Sequence, residues 1–216
     1  LLDFLVTDHG HYCGYGADAR DDDGGSAAAE TTGGKVSPNR FRAVQEIMNT
    51  ERVFAFRMQQ LQTHVYERLV ELKSAAVGRS GSNASFDVPS LESTMRALGV
   101  SQLLAMSIKL RDDLVERIEC LEGDQCNPAQ QAAVCIGDIF EEFAPFFKMY
   151  GVYCTHHRDI AAKFAELASS NGEGGDFVRG AERDARCEHQ AQLCRPAMSD
   201  WLPQNLSCDL QSLLIA

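Results

Sequence analysis

Apolar residues recur at helical spacing over residues 41–73, and this periodicity restricts the fold more than any other feature of the chain. The positions follow the three-and-four spacing of a helix that buries one face. They are Val44, Ile47, Met48, Phe54, Met58, Leu61, Val65, Leu69 and Leu72. A helix of about 30 residues would be near 45 Å long. Such a length is unusual in a compact globule and common in elongated helical bundles, so the segment predicts a bundle built along one long helix.

The rest of the chain continues the helical pattern. Further helices are predicted over about residues 91–121, 130–149 and 157–168, and the polar segment 179–194 is another candidate. Glycine-containing breaks at residues 78–85, 123–128 and 172–175 predict loops. No stretch of useful length alternates between apolar and polar residues as a strand does. The predicted fold class is therefore all-α, an elongated helical bundle.

The first part of the chain differs in composition from the rest. Gly, Ala, Ser and Asp dominate residues 14–34. Residues 1–34 carry seven acidic side chains and one basic one, a net −6 within a formal total of −11 for the 216 residues. This composition predicts a disordered acidic linker over residues 1–40 and a helical domain over residues 41–216. Neither part has the basic stripe that nucleic-acid binding needs, so no nucleic-acid partner is expected.

The ends of the chain show no targeting or membrane signal. No apolar run reaches the roughly 18 residues that span a bilayer. The first residues lack the basic flank and the cleavage pattern of a signal peptide. The chain starts on Leu1 and ends on an apolar run, which we interpret as a segment of a longer protein.

Eight cysteines raise the alternative of a metal site. They are Cys13, Cys120, Cys126, Cys135, Cys154, Cys187, Cys194 and Cys208, and no two form a Cys-x-x-Cys pair. Metal sites need closely spaced ligands, because one turn must aim two of them at one ion. The nearest approach is His9-x-His11-x-Cys13, in the predicted linker. We expect scattered reduced thiols in an intracellular protein, with no metal and no cofactor.

Three segments, in order along the chain, resemble the conserved regions of the Dbl-homology domain, the exchange module for Rho-type GTPases. The first is residues 44–54, which keeps the family's order at Glu46, Ile47, Met48, Thr50, Glu51, Arg52 and Phe54. The second begins with Ile136-Gly137-Asp138-Ile139-Phe140 and continues to Tyr150 and Tyr153. The third, residues 206–216, resembles the lead-in to the family's Pro-x-Gln-Arg motif. The sequence given stops where that motif should begin, so we expect a partial domain, incomplete at its C-terminus, with little or no exchange activity by itself.

The resemblance implies a function without covalent chemistry. Dbl-homology domains bind a Rho-, Rac- or Cdc42-like small GTPase and promote release of GDP, because they prefer the nucleotide-free GTPase. The resemblance also implies a cytoplasmic protein whose peripheral recruitment to membranes, if any, depends on a domain outside this chain. One alternative is a helical scaffold, a fragment or degenerate relative without exchange activity. A metal- or thiol-dependent enzyme is the third hypothesis, and the irregular Cys and His spacing disfavours it.

The same resemblance implies a GTPase-binding residue. Glu46 matches the family's glutamate that engages the first switch of the GTPase. Asn49 and Val53 share its side of the helix, and with Thr50 of the same segment they are the other residues predicted to make the contact. Helical geometry puts Glu46 about 110° from the centre of the apolar stripe, which predicts an exposed side chain. The alternative is an ordinary solvated glutamate in the first turns of a helix, where its charge suits the dipole.

Two further sets of residues have structural predictions. Phe56 and Gln60 share the Glu46 side of the helix, so they are expected in the same mixed surface. Glu51 falls inside the apolar stripe and is expected to be buried, paired with a basic residue from the C-terminal part of the domain. Six aromatic side chains are expected in the core, namely Phe140, Phe143, Phe146, Phe147, Tyr150 and Tyr153.

Overall fold

The computed structural model describes residues 38–77, 86–119, 121, 128–195 and 201–214. The described residues form helices and turns, with no strand among them, as the sequence predicts. Most of the predicted linker, the predicted loop at residues 78–85 and the His9-x-His11-x-Cys13 cluster lie outside these ranges. The α-helices are α1 Pro38–Leu61, α2 Glu67–Val77, α3 Val88–Ala97, α4 Val100–Glu119, α5 Pro128–Ala132, α6 Gly137–Phe143, α7 Lys148–Ser169, α8 Glu173–Leu193 and α9 Leu210–Leu214.

The predicted long helix is a continuous rod. A π-helical turn, Gln62–Tyr66, joins α1 to α2, so that helical backbone extends over residues 38–77. At 1.5 Å per residue the rod is about 60 Å long. The apolar periodicity predicts that Ile47 and Leu72 are buried, and this prediction is wrong for both. Ile47 is 40% exposed and Leu72 is 41% exposed. The other members of the stripe are buried.

The predicted helix over residues 91–121 is two helices. Asp87 caps α3, accepting a hydrogen bond from the backbone N–H of Ser90 at 3.0 Å. Gly99, with φ of 67°, then ends α3 and allows α4 to start at the next residue. Within α3, Glu92 is fully buried and its carboxylate pairs with Lys73 and Arg96. Hydrogen bonding to Lys73 holds the pKa of Glu92 below its ordinary value.

The predicted helix over residues 130–149 is also divided. The backbone is not helical at residues 134–136, and a 3₁₀ turn, Ala144–Phe146, separates α6 from α7. Pro145 explains the second break, because proline cannot donate to the carbonyl four residues earlier. Arg117 of α4 fixes the start of α6 by pairing with Asp138 at 2.7 Å, which lowers the pKa of Asp138 to about 2.

The aromatic residues of this region are not all in the core. Phe143, Tyr150 and Tyr153 are buried, and Phe140 and Phe147 pack at the edge of the core. The sixth, Phe146, is 49% exposed because the 3₁₀ turn directs it outward. The expectation of a core position is therefore wrong for Phe146.

Residues 172–175, predicted to be a loop, belong to a helix start. Gly172 is the N-cap of α8, and Gly174 and Gly175 lie in its first turn. A Cβ on Gly175 would come within 2.2 Å of the backbone oxygen of Ser170. These glycines therefore serve close packing between α7 and α8 rather than flexibility.

The core is built around the rod. α1 packs against α4 along its length and also contacts α5 and α9, while α7 packs against α8 and α9. The largest fully buried side chains include Met48, Met58, Leu61, Leu103, Leu114, Ile160 and Phe164. Within α1, the exposed side chains of the described residues lie in its first turns, at residues 40–47.

Candidate functional site

The predicted site residue Glu46 is exposed in the first turns of α1. Ala43 and Ile47 are exposed beside it, and Thr50 is half-buried. Positions 43, 46, 47 and 50 follow the spacing of one helix face. The hydroxyl of Thr50 donates to the carbonyl oxygen of Glu46 at 2.8 Å, so it is used within the helix. We call Ala43, Glu46, Ile47 and Thr50 the Glu46 surface.

The other residues predicted to share this site divide into two groups. Asn49 and Val53 are half-buried next to the Glu46 surface, where a partner could reach them. Phe56 and Gln60, in contrast, are 8% and 0% exposed. The prediction that these two belong to an exposed interface is wrong, because α8 covers them.

The contacts with α8 explain this burial. The ring of Phe56 lies 6.1 Å from that of His189. The side-chain amide of Gln60 donates to the carbonyl oxygen of Ala185 at 2.9 Å. Both partners come from a helix more than one hundred positions later in the sequence, so the local pattern carries no sign of them.

Glu51 is buried, with 4% of its surface exposed, as its place in the apolar stripe predicts. Its Oε1 accepts hydrogen bonds from the hydroxyls of Ser107 on α4 and Tyr150 on α7, the latter at 3.4 Å. Burial raises the pKa of Glu51 above its ordinary value. The expected basic partner from the C-terminal part is not among its hydrogen-bond partners in the described residues. Two neutral hydroxyls hold this carboxyl group instead.

A second tyrosine of α7 reaches the C-terminal helix. The hydroxyl of Tyr153 donates to the carbonyl oxygen of Leu214 at 2.8 Å, and both residues are buried. Burial raises the pKa of Tyr153, so the phenol stays protonated at neutral pH. α7 is thus hydrogen-bonded to α1 through Tyr150 and to α9 through Tyr153.

A cleft of about 330 Å³ lies between α1, α4, α8 and the segment around Trp201. Arg52, from the conserved first segment, lies over the Trp201 ring at 5.8 Å and pairs with Glu119 at 3.3 Å. Glu188, also in the cleft wall, lies 2.7 Å from the Nε2 atom of His64. The sequence did not predict this cleft, although a lone tryptophan and a motif arginine were the available signals.

The remaining sequence candidates have local contacts. The Nδ1 atom of His157 lies 2.8 Å from the carbonyl oxygen of Cys154, and its ring stacks on Tyr153 at 6.1 Å. Across the described ranges, no group of three or more His, Cys, Asp or Glu residues could hold a metal ion. In the same part of the chain, no helix is long and apolar enough to cross a membrane.

Glu46 and the 40%-exposed Ile47 together give the first turns of α1 a mixed polar and apolar surface. A scan against models of protein families matches the RhoGEF domain over residues 43–216. The chain belongs to the RhoGEF domain family, the Dbl-homology exchange-factor family that its conserved segments indicated. Searches of curated proteins and of solved structures gave no match.

Proposed function

We propose that the chain acts as a guanine-nucleotide exchange domain that binds a Rho-, Rac- or Cdc42-like small GTPase through the Glu46 surface and promotes GDP release. The observation that carries the proposal is the exposure of Glu46 on the family's first conserved segment. Asn49, Thr50 and Val53 complete the contact. No cofactor and no covalent step are needed.

Exchange by such a surface is a matter of differential affinity. A partner that binds the nucleotide-free GTPase more tightly than the loaded form shifts the equilibrium towards nucleotide release. A carboxylate is an acceptor only, so Glu46 would bind hydroxyl and amide donors of the first switch after that loop leaves the nucleotide. Ile47, 40% exposed beside it, would supply apolar contact area.

The test is release of fluorescent GDP from a panel of Rho, Rac and Cdc42-like proteins, with the full-length natural protein that contains these residues. We expect acceleration for at least one GTPase. Glu46→Ala should reduce it by about 30-fold, the effect of losing a contact worth about 2 kcal/mol. Glu71→Ala is the matched control, because Glu71 is an exposed glutamate at the far end of the same rod.

Two results would contradict the proposal. An unchanged rate for Glu46→Ala, with exchange otherwise present, would remove the role of Glu46. No acceleration for any GTPase of the panel, by a protein shown to be folded, would favour the second candidate, a helical scaffold without exchange activity. Binding of nucleotide-free GTPase without exchange would be the signature of such a scaffold.

A further inference from the structure

The orientation of Glu46 depends on how α1 is rotated about its axis within the bundle. Glu51 is on the same helix, about 7.5 Å along it and about 140° around it from Glu46. Glu51 is buried and Glu46 is exposed. Whatever fixes the direction of Glu51 therefore also fixes the direction of Glu46.

Apolar packing alone is a weak constraint on this rotation, because the hydrophobic effect has no direction. Hydrogen bonds weaken steeply as their angle departs from linearity. Ser107 and Tyr150 approach Oε1 of Glu51 from two different helices, α4 and α7. Two donors on one oxygen, from two different helices, add a directional constraint on the rotation of α1.

The bond from Tyr150 is the longer of the two, but Tyr150 is the donor that the core holds more firmly. Its ring packs against Phe54 of α1, with centroids 5.4 Å apart, and against Phe147 at 6.1 Å. The ring is thus fixed on both sides, and its hydroxyl position is set by the core. Ser107 is fully buried but has a short side chain that can rotate to follow the carboxyl group.

We propose that Tyr150 is a positioning residue for exchange, acting through its hydrogen bond to Glu51 to orient Glu46 towards the GTPase. The proposal rests on the proposed function. A side chain tip lies about 5–6 Å from the helix axis, so a turn of about 10° moves it by about 1 Å. A misplacement of about 1 Å can cost about 100-fold in a reaction that depends on placement. Here the loss is limited to the about 30-fold expected for removing Glu46 itself. A missing hydroxyl far from the GTPase can therefore lower the exchange rate.

The first test measures the local stability of α1 directly and does not depend on nucleotide exchange activity. Amide hydrogen exchange is followed in the 216-residue chain and in its Tyr150→Phe variant. We expect the amide hydrogens of residues 46–54 to exchange with solvent faster in the variant. The matched control is Tyr66→Phe, which removes the phenol hydroxyl that pairs with Arg96 elsewhere in the bundle. Unchanged protection of residues 46–54 in Tyr150→Phe would overturn the proposal whether or not the protein exchanges nucleotide.

The second test is a double-mutant cycle in the full-length natural protein, measured by release of fluorescent GDP. Tyr150→Phe should lower the maximal rate of GDP release about ten-fold. The concentration of exchange protein that gives half of the maximal rate should change less than two-fold. In the Glu46→Ala background, Tyr150→Phe should have no further effect, because the side chain that it orients is gone. Tyr66→Phe should leave both constants unchanged.

The outcomes separate this proposal from the proposed function. Equal effects of Tyr150→Phe with and without Glu46 would show a merely structural role and overturn the positioning role alone. Exchange that is insensitive to Glu46→Ala would overturn the role of Glu46 in the proposed function and the positioning role with it. Non-additive effects together with the local loss of protection would support both.

Discussion

The hydroxyl of Tyr153 donates to the carbonyl oxygen of Leu214 at 2.8 Å inside the core, joining the second turn of α7 to the end of α9. Leu214 belongs to the third family segment, residues 206–216, which follows α8 in the sequence. The bond is buried, with Tyr153 at 3% exposure and Leu214 at 0%. The position of the C-terminal helix therefore depends in part on one phenol hydroxyl.

The first prediction removes that hydroxyl. Tyr153→Phe keeps the ring and leaves the buried carbonyl of Leu214 without this donor, which should lower the free energy of unfolding by about 1–3 kcal/mol. Urea unfolding of the two proteins measures the difference. A value within experimental error of zero would mean that another donor reaches Leu214 after the change.

The second prediction concerns pH and the buried carboxyl group of Glu51. Its pKa is raised by burial, so between the unfolded value of 4.5 and the higher folded value the native state holds one proton more than the unfolded state. The stability that the Glu51 carboxyl group contributes is therefore fully present below pH 4.5. It decreases as the pH rises from 4.5 to the higher folded pKa. The fall is about 1.4 kcal/mol for each pH unit between the two values.

Glu51→Gln should remove this dependence. The amide keeps an oxygen that accepts from Ser107 and Tyr150, and it cannot ionise. The variant should equal the parent in stability at low pH and exceed it at neutral pH, as measured by urea unfolding at several pH values. Glu71→Gln serves as the control, because it removes the same negative charge at an exposed position. A loss of stability at neutral pH would instead favour the basic partner that the sequence led us to expect.

The sequence predicts the parts of this fold that depend on local periodicity. The rod, the burial of Glu51 and the exposure of Glu46 all follow from which face of one helix is apolar. Gly99 could not be recognised as a helix end, because a single left-handed residue leaves the apolar spacing around it intact. Phe56 and Gln60 were misplaced for another reason. Their neighbours on α8 are brought in by tertiary packing, which no window of the sequence contains.

The third prediction uses two glycines in helices. Gly175→Ala should destabilise the protein by about 1–3 kcal/mol, because the new methyl group would lie 2.2 Å from the backbone oxygen of Ser170 and the helices would have to shift. Gly151→Ala meets nothing within 4 Å on α7 and should stabilise by about 0.5–1 kcal/mol. Thermal unfolding of both variants measures the contrast. Equal effects would contradict the close approach of α7 and α8.

The fourth prediction concerns Arg52 and Trp201 in the cleft. Trp201 is the single tryptophan of the chain, so tryptophan fluorescence, excited selectively over tyrosine, reports on this place alone. Arg52 is 16% exposed in its side chain, lies 5.8 Å from the ring and pairs with Glu119, which is 61% exposed. Because the Glu119 end of the ion pair is largely solvated, the cation–π contact should contribute more than the pair, about 0.5–1 kcal/mol.

Arg52→Met keeps much of the side-chain volume and removes the charge, so it separates the cation–π contact from packing. We expect the emission of Trp201 to change and the free energy of unfolding to fall by about 1 kcal/mol. Glu119→Gln, which removes only the solvated partner, should leave emission nearly unchanged and stability within about 0.5 kcal/mol of the parent. If Glu119→Gln instead reproduced the Arg52→Met change in emission, the ion pair rather than the cation–π contact would be holding Arg52 over the ring.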